Sequence, residues 1–186
     1  MLVAVGGLSG TGKSVLARAL APDVMPEPGA VVLRTDVLRK ELFKVREDHR
    51  LPESAYRPGV TEQVYEMVAK RVGRILAQGH SVIVDAVLAR ESERSGINEV
   101  ATRLNVRFVG LFLVADLATR LKRVGVRKND ASDASPAIAQ LQKGYDLGAI
   151  DWTMIDASGT PEQTLQRCQN YVSVDPEPAR EPHPRT

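Results

Sequence analysis

A three-layer α/β fold, with a parallel sheet between two layers of helices, follows from the sequence on three grounds. Short apolar segments rich in Val, Ile and Leu alternate along the chain with segments of helical spacing. The first apolar segment, Leu2 to Val5, runs into a glycine-rich loop that opens directly onto a helix. Ser81 to Asp85 is apolar at every inner position, the pattern of a strand covered on both faces, and it ends in a carboxylate. Crossovers between parallel strands are right-handed and pack onto the sheet, and ligands of such sheets gather at the carboxyl ends of the strands.

After Leu2 to Val5, a helix is expected over Lys13 to Leu20. The proline-interrupted stretch Pro22 to Gly29 leads to a second strand, Ala30 to Leu33, and to a helix from Val37 to Phe43 that Thr35 or Asp36 would cap. His49 to Gly59 is polar and holds two prolines, so it reads as a surface loop. From Thr61 to Ala77, Val64, Val68, Val72, Ile75 and Leu76 share one helical face, and Gly79 sits where a C-cap belongs. Glu91 to Leu104 is a less regular helix, Arg107 to Val114 a buried strand, and Asp116 to Val124 a helix capped by Asp116. Gly125 to Ser135 is polar, and helix resumes over Pro136 to Tyr145. Thr153 to Ile155 forms a last short strand, and Thr160-Pro161-Glu162 starts a helix that runs to about Val172. These elements make one domain over residues 1–173, while 174–186, with four prolines and five charged residues, reads as a disordered tail.

Composition excludes several classes. The single cysteine, Cys168, can form neither an internal disulfide nor a metal pair, and its place in a helix suits packing. A reducing, cytoplasmic setting is expected, because there is no run of about 18 apolar residues and no basic start of a signal peptide. Formal net charge is +2 and aromatic residues make up 4%, which leaves few stacking platforms for single-stranded nucleic acid. No internal repeat is present.

Gly7-Leu8-Ser9-Gly10-Thr11-Gly12-Lys13-Ser14 fits G-x-x-x-x-G-K-[ST], after a strand and before a helix as that pattern requires. The glycines let successive backbone N–H groups converge on phosphate oxygens, and the helix behind them points its positive end at the same place. Lys13 is expected to reach the β- and γ-phosphates of ATP, and Ser14 to offer an oxygen to Mg²⁺.

Asp36 follows the second strand, at the same sheet edge as the glycine loop, and is a candidate general base; the competing reading is a plain helix cap. Arg39, one turn on, is either an anchor for a polar substrate group or part of a solvated face. Asp85 is placed to hold Mg²⁺, or to cap the next turn. Arg120, Arg123 and Arg127 follow the fourth strand, where an arginine could neutralise charge on the transferred phosphoryl group. Arg127 is favoured for that role, with Asp130 and Asp133 as partners when it is withdrawn, and Arg123 is assigned to nucleotide binding.

The glycine loop, Arg34-Thr35-Asp36-Val37-Leu38-Arg39, Val82-Ile83-Val84-Asp85-Ala86 and Asp130-Ala131-Ser132-Asp133-Ala134 together resemble the predicted-kinase group of AAA-type small P-loop proteins. That group is similar to chloramphenicol phosphotransferase, the zeta toxins, gluconate kinase and polynucleotide kinase domains. The resemblance covers about Leu2 to Val172. It implies a five-stranded P-loop NTPase sheet in the order 2-3-1-4-5, Asp36 in the general-base position and a lid segment after the fourth strand. The expected activity is ATP-dependent transfer of phosphate to a hydroxyl of a small molecule, an antibiotic, sugar or related metabolite. Two alternatives stay open: a kinase of polynucleotide 5′-hydroxyl ends, using the basic cluster Arg34, Arg39, Lys40, Lys44, Arg46 and Arg50, and a nucleotide-dependent switch or toxin-like module. No membrane partner is expected.

Overall fold

The computed structural model describes residues 1–126 and 130–173. Arg127 and the expected tail lie outside the described residues. Five strands, β1 (Leu2–Gly7), β2 (Val31–Arg34), β3 (Val82–Asp85), β4 (Phe108–Val114) and β5 (Thr153–Asp156), form one parallel sheet in the order β2-β3-β1-β4-β5. The helices are α1 (Lys13–Leu20), α2 (Thr35–Leu42), α3 (Pro58–Ala77), α4 (Glu91–Arg103), α5 (Leu117–Val126), α6 (Pro136–Leu141) and α7 (Pro161–Ser173). Among the described residues no helix is long and apolar enough to cross a membrane.

Alternation along the central strands divides the core into two layers. Leu2 and Ala4 of β1 face one side with Val82 and Val84, against Val64, Val68, Val72 and Leu76 of α3. Val3 and Val5 face the other with Ile83, Leu111 and Leu113, against Leu16 and Leu20 of α1 and Cys168 and Val172 of α7. Each fully buried Val or Leu contributes about 1.5–3 kcal/mol, so this double burial is what holds β1 and β3 in the middle of the sheet. Cys168 is fully buried, and burial pushes its thiol up to about 11, as a packing role requires.

Several boundaries differ from expectation. Helix α3 starts at Pro58, inside the stretch read as loop, because proline at the first helical position needs no N–H partner. That stretch also contains a 3₁₀ turn, Glu53–Tyr56. The helix expected to reach Tyr145 ends at Leu141 and continues as a 3₁₀ turn, Gln142–Gly144. Helix α2 begins at Thr35 with extended Arg34 in the cap position and no side-chain cap, so neither Thr35 nor Asp36 caps it. Asp116 does cap α5, accepting from the Thr119 N–H at 2.8 Å.

One buried strut went unsignalled. Arg94 of α4 is 1% exposed and donates to four carbonyls, those of Leu88, Ala89, Leu147 and Ala149, fastening the loop after β3 to the segment before β5.

Candidate active site

Register places the site. Val5 of β1 and Arg34 of β2 both pair with Asp85 of β3, so the glycine loop, Asp85 and the start of α2 emerge side by side at the carboxyl edge. In the loop, Gly10 and Gly12 have φ of 87° and 97°, where a side chain is strained, and a Cβ on Gly10 would lie 2.5 Å from the Arg120 carbonyl oxygen. Gly12 is also the N-cap of α1, and this left-handed turn directs the N–H groups of the first helical turn into the loop. Thr11 Oγ1 donates to the Leu8 carbonyl at 2.8 Å, and Lys13 Nζ donates to the same oxygen at 3.2 Å.

Arg120 is neither a lid residue nor part of a solvated face. It is 4% exposed, and its guanidinium donates to the Ser9 carbonyl at 2.8 Å and to the Ala139 carbonyl and Gln142 Oε1 at 3.2 Å. Gln142 Oε1 also accepts from the Ser9 N–H at 2.8 Å. The tip of the loop is thus braced through both polar groups of one peptide residue by α5 and the turn after α6. Arg123 is likewise turned inward, donating to the carbonyls of Ala157 at 2.7 Å and Gly159 at 2.6 Å, which fixes the turn after β5 beside the cleft.

Beside the loop, Arg34 gathers three oxygens. Its Nε lies 3.1 Å from Asp85 Oδ2, and its terminal nitrogen lies 3.1 Å from Ser14 Oγ and 2.8 Å from Asp130 Oδ1. Asp85 is 4% exposed and engaged in this pair, which removes the reading of it as a cap for the following turn. Asp36 is partly buried in the same group. Burial first, and then the Asp85 carboxylate, push its carboxyl above the usual range, opposed by Lys13, a hydrogen bond to Ser132 and the charge of Arg34.

On the far side, Arg39 is 7% exposed rather than solvated: it donates to the Ala55 carbonyl at 2.7 Å and Thr61 Oγ1 at 3.4 Å and lies 4.9 Å over the Tyr56 ring. Its Nε is buried without a partner. Lys40, 1% exposed, donates to Asp133 Oδ1 at 2.7 Å and to the His49 carbonyl. Asp133 also accepts from Tyr56 Oη at 2.6 Å and the Leu51 N–H at 2.9 Å. Asp130 and Asp133, read from sequence as partners for Arg127, therefore bind Arg34 and Lys40. Arg34, Lys40, Gln142 and Tyr56 are not assigned to the kinase site by sequence, and Arg120 is expected there only as a lid candidate. The Arg34-to-Arg39 segment holds one of them, Arg34, and the basic cluster named for a polynucleotide acceptor adds Lys40.

One cleft of about 1100 Å³ is lined by Ser9 to Ser14, Asp36, Arg39, Asp85, Tyr56 and Ser132. Its size suits a nucleotide with a second small molecule. Ser14 and Asp85 fit a metal ion, since a cationic group already sits 3.1 Å from an oxygen of each. Among the described residues no three His, Cys, Asp or Glu side chains cluster as a cage, and Mg²⁺ in a phosphate site needs only one or two protein oxygens beside phosphate and water.

A family model described as an AAA domain matches residues 2–145. An uncharacterized protein of Mycobacterium tuberculosis, Rv2004c, is 30% identical over 172 residues, covering 88% of this chain and 33% of that protein. A Mycobacterium bovis protein matches with the same figures, so the chain spans about a third of the length of the curated relatives it matches. Among solved structures, a gluconokinase from Sinorhizobium meliloti superposes with a TM-score of 0.62 at 18% identity, covering 92% of this chain and 90% of that one. The Mycobacterium tuberculosis APS kinase CysC, in complex with AMPPNP and APS, gives 0.65 at 18% identity over 93% and 97%. A Deinococcus radiodurans tunicamycin resistance protein gives 0.64 at 15% identity over 94% and 96%. These likenesses show a shared P-loop kinase fold.

Proposed function

Because the chain belongs to the AAA-domain family of P-loop proteins, we propose that it is an ATP-dependent kinase that transfers the γ-phosphate to a hydroxyl of a small molecule. The observation that supports this best is the sharing of one cleft by the P-loop, Asp85 and Asp36, a carboxylate whose ionised form is destabilised. A raised carboxyl pKa makes a stronger base, suited to taking the proton of an attacking alcohol.

In this reading the N–H groups of Gly10 to Ser14 and the Lys13 ammonium hold the phosphates of ATP, and Ser14 and Asp85 hold Mg²⁺. Bound Mg²⁺ supplies charge neutralisation at the phosphates. Asp36 accepts the hydroxyl proton and orients the oxygen toward the γ-phosphorus. Arg39, held rigid by Ala55, Thr61 and Tyr56, anchors a polar group of the acceptor. Arg123 supports the nucleotide through the turn after β5, and Arg127 is assigned to the transferred phosphoryl group. A polynucleotide acceptor is less well supported, because Arg39 and Lys40 of the basic cluster are buried in internal bonds and Arg34 is engaged with Asp85 and Asp130. The test is transfer of label from γ-labelled ATP across a panel of sugars, hydroxylated antibiotics and a 5′-hydroxyl oligonucleotide. Labelled product with a small alcohol is expected. Acceptor-independent hydrolysis with no labelled alcohol would remove the proposal.

A further inference from the structure

We propose that Arg34 is the resident cation of the metal position: in the nucleotide-free protein its guanidinium fills the space between Ser14 and Asp85, and a divalent metal arriving with nucleotide takes that space by displacing it. The inference rests on the nucleotide-binding half of the reading above and concerns a residue that reading does not use.

Two carboxylates, Asp85 and Asp130, lie against Arg34 at 3.1 and 2.8 Å, Asp36 adds its charge there, and Asp85 is 4% exposed. A buried carboxylate such as Asp85 needs a cation beside it. Arg34 supplies it with two nitrogens: Nε to Asp85, and one terminal nitrogen shared between Ser14 and Asp130. The hydrogen bond to Ser14 Oγ occupies one of the two lone pairs with which that oxygen could ligate a metal, on the side that faces Asp85. Mg²⁺ binds its oxygens at about 2.0–2.1 Å and carries two positive charges. It cannot share the Ser14 and Asp85 oxygens with a guanidinium lying between them. Metal binding therefore costs at least the Arg34–Ser14 bond, and the site is weaker for metal than its two oxygens alone would make it. The displaced guanidinium keeps Asp130 within reach, so metal entry is felt by the segment 130–133 that hydrogen-bonds Asp36 through Ser132.

The test uses the full chain with Mn²⁺ as the metal probe, titrated in the presence of ADP and read from the electron paramagnetic resonance of unbound Mn²⁺. Arg34→Met keeps the stem and removes the charge. Arg34→Lys keeps the charge on a shorter point donor that cannot span the three oxygens. Both variants are expected to take up Mn²⁺ about tenfold more tightly than the wild type, the factor for one charge-assisted hydrogen bond that no longer has to be broken. Without metal, Arg34→Met should melt lower than the wild type, and Mn²⁺ with ADP should close that gap. Unchanged or weaker Mn²⁺ uptake in both variants would overturn the proposal. So would a gain confined to Arg34→Met, which would show a distant charge effect without displacement. Absence of ADP-dependent Mn²⁺ uptake by the wild type would abolish the metal position and the proposal with it. The readout needs no acceptor, so a failure of phosphoryl transfer and a failure of this inference are separate results.

Discussion

Replacing Lys40 by Met probes the clamp between α2, the loop 49–56 and the segment 130–135. The Lys40 side chain is 1% exposed and that of Asp133 11%, so the substitution leaves a largely buried carboxylate without its cation. Breaking a buried pair by removing one partner costs about 3–5 kcal/mol. Asp133 keeps two donors, Tyr56 Oη at 2.6 Å and the Leu51 N–H at 2.9 Å, which places the loss near the lower end, about 3 kcal/mol. For a chain of this size a loss of 1 kcal/mol lowers the melting temperature by about 2–4 °C, so Lys40→Met should melt about 6–12 °C lower. The assay is thermal unfolding followed by circular dichroism, with Asp133→Asn and the double variant completing a cycle. The pH dependence has a definite sign. Burial alone would raise the Asp133 carboxyl, but the bonds from Lys40, Tyr56 and the Leu51 N–H, with the charge of Lys40, hold it below the usual range. A depressed carboxyl contributes stability above the ordinary value of about 3.9, and that contribution is lost as pH falls through the lower folded value. The gap between wild type and Lys40→Met should be widest near neutrality and shrink in acid below about pH 4. A drop of less than about 2 °C at pH 7, or strictly additive effects of the two substitutions, would refute the reasoning.

Asp36→Asn should lower the transfer rate by about a hundredfold or more, while raising the melting temperature at pH 7. The sign follows from its raised folded-state pKa: stability falls as pH rises from the unfolded value through the folded one, and a neutral amide removes that penalty. Unchanged transfer, once an acceptor is known, would move the base to Asp85. Lys13→Ala should abolish transfer and weaken ATP binding by calorimetry, because the backbone cradle remains while the facing charge is lost; full activity would contradict the P-loop assignment. Arg120→Ala should weaken ATP binding by about tenfold without touching ATP, since the Ser9 carbonyl loses its charged donor. Unaltered affinity would show that Gln142 alone holds the loop.

The helix stripe Val64, Val68, Val72 and Leu76, the apolar run ending at Asp85 and the glycine loop were legible because each is written in consecutive or periodic residues. The edge shared by Lys13, Ser14, Asp36 and Asp85 followed from parallel strands that all end on one side. Boundaries at Pro58 and Leu141 were missed because a polar segment with proline suits a turn and a helix start equally well.

The sequence by itself determined the layered parallel architecture and the phosphate-binding loop, since both depend on local pattern and on backbone freedom at fixed glycines. The order β2-β3-β1-β4-β5 was anticipated through resemblance rather than pattern, and pairing confirms it. What only the tertiary structure decided is the fate of the long cationic side chains. An arginine or lysine at a strand end or on a helix reads the same whether its head meets water or an interior oxygen, because its stem can snorkel either way. Arg34 and Lys40 meet Asp130 and Asp133 across 96 and 93 residues of chain, and Arg120 reaches the Ser9 carbonyl across 111. Partners that far apart leave no period or spacing to read, and they become neighbours only when the sheet assembles and brings its carboxyl edge together.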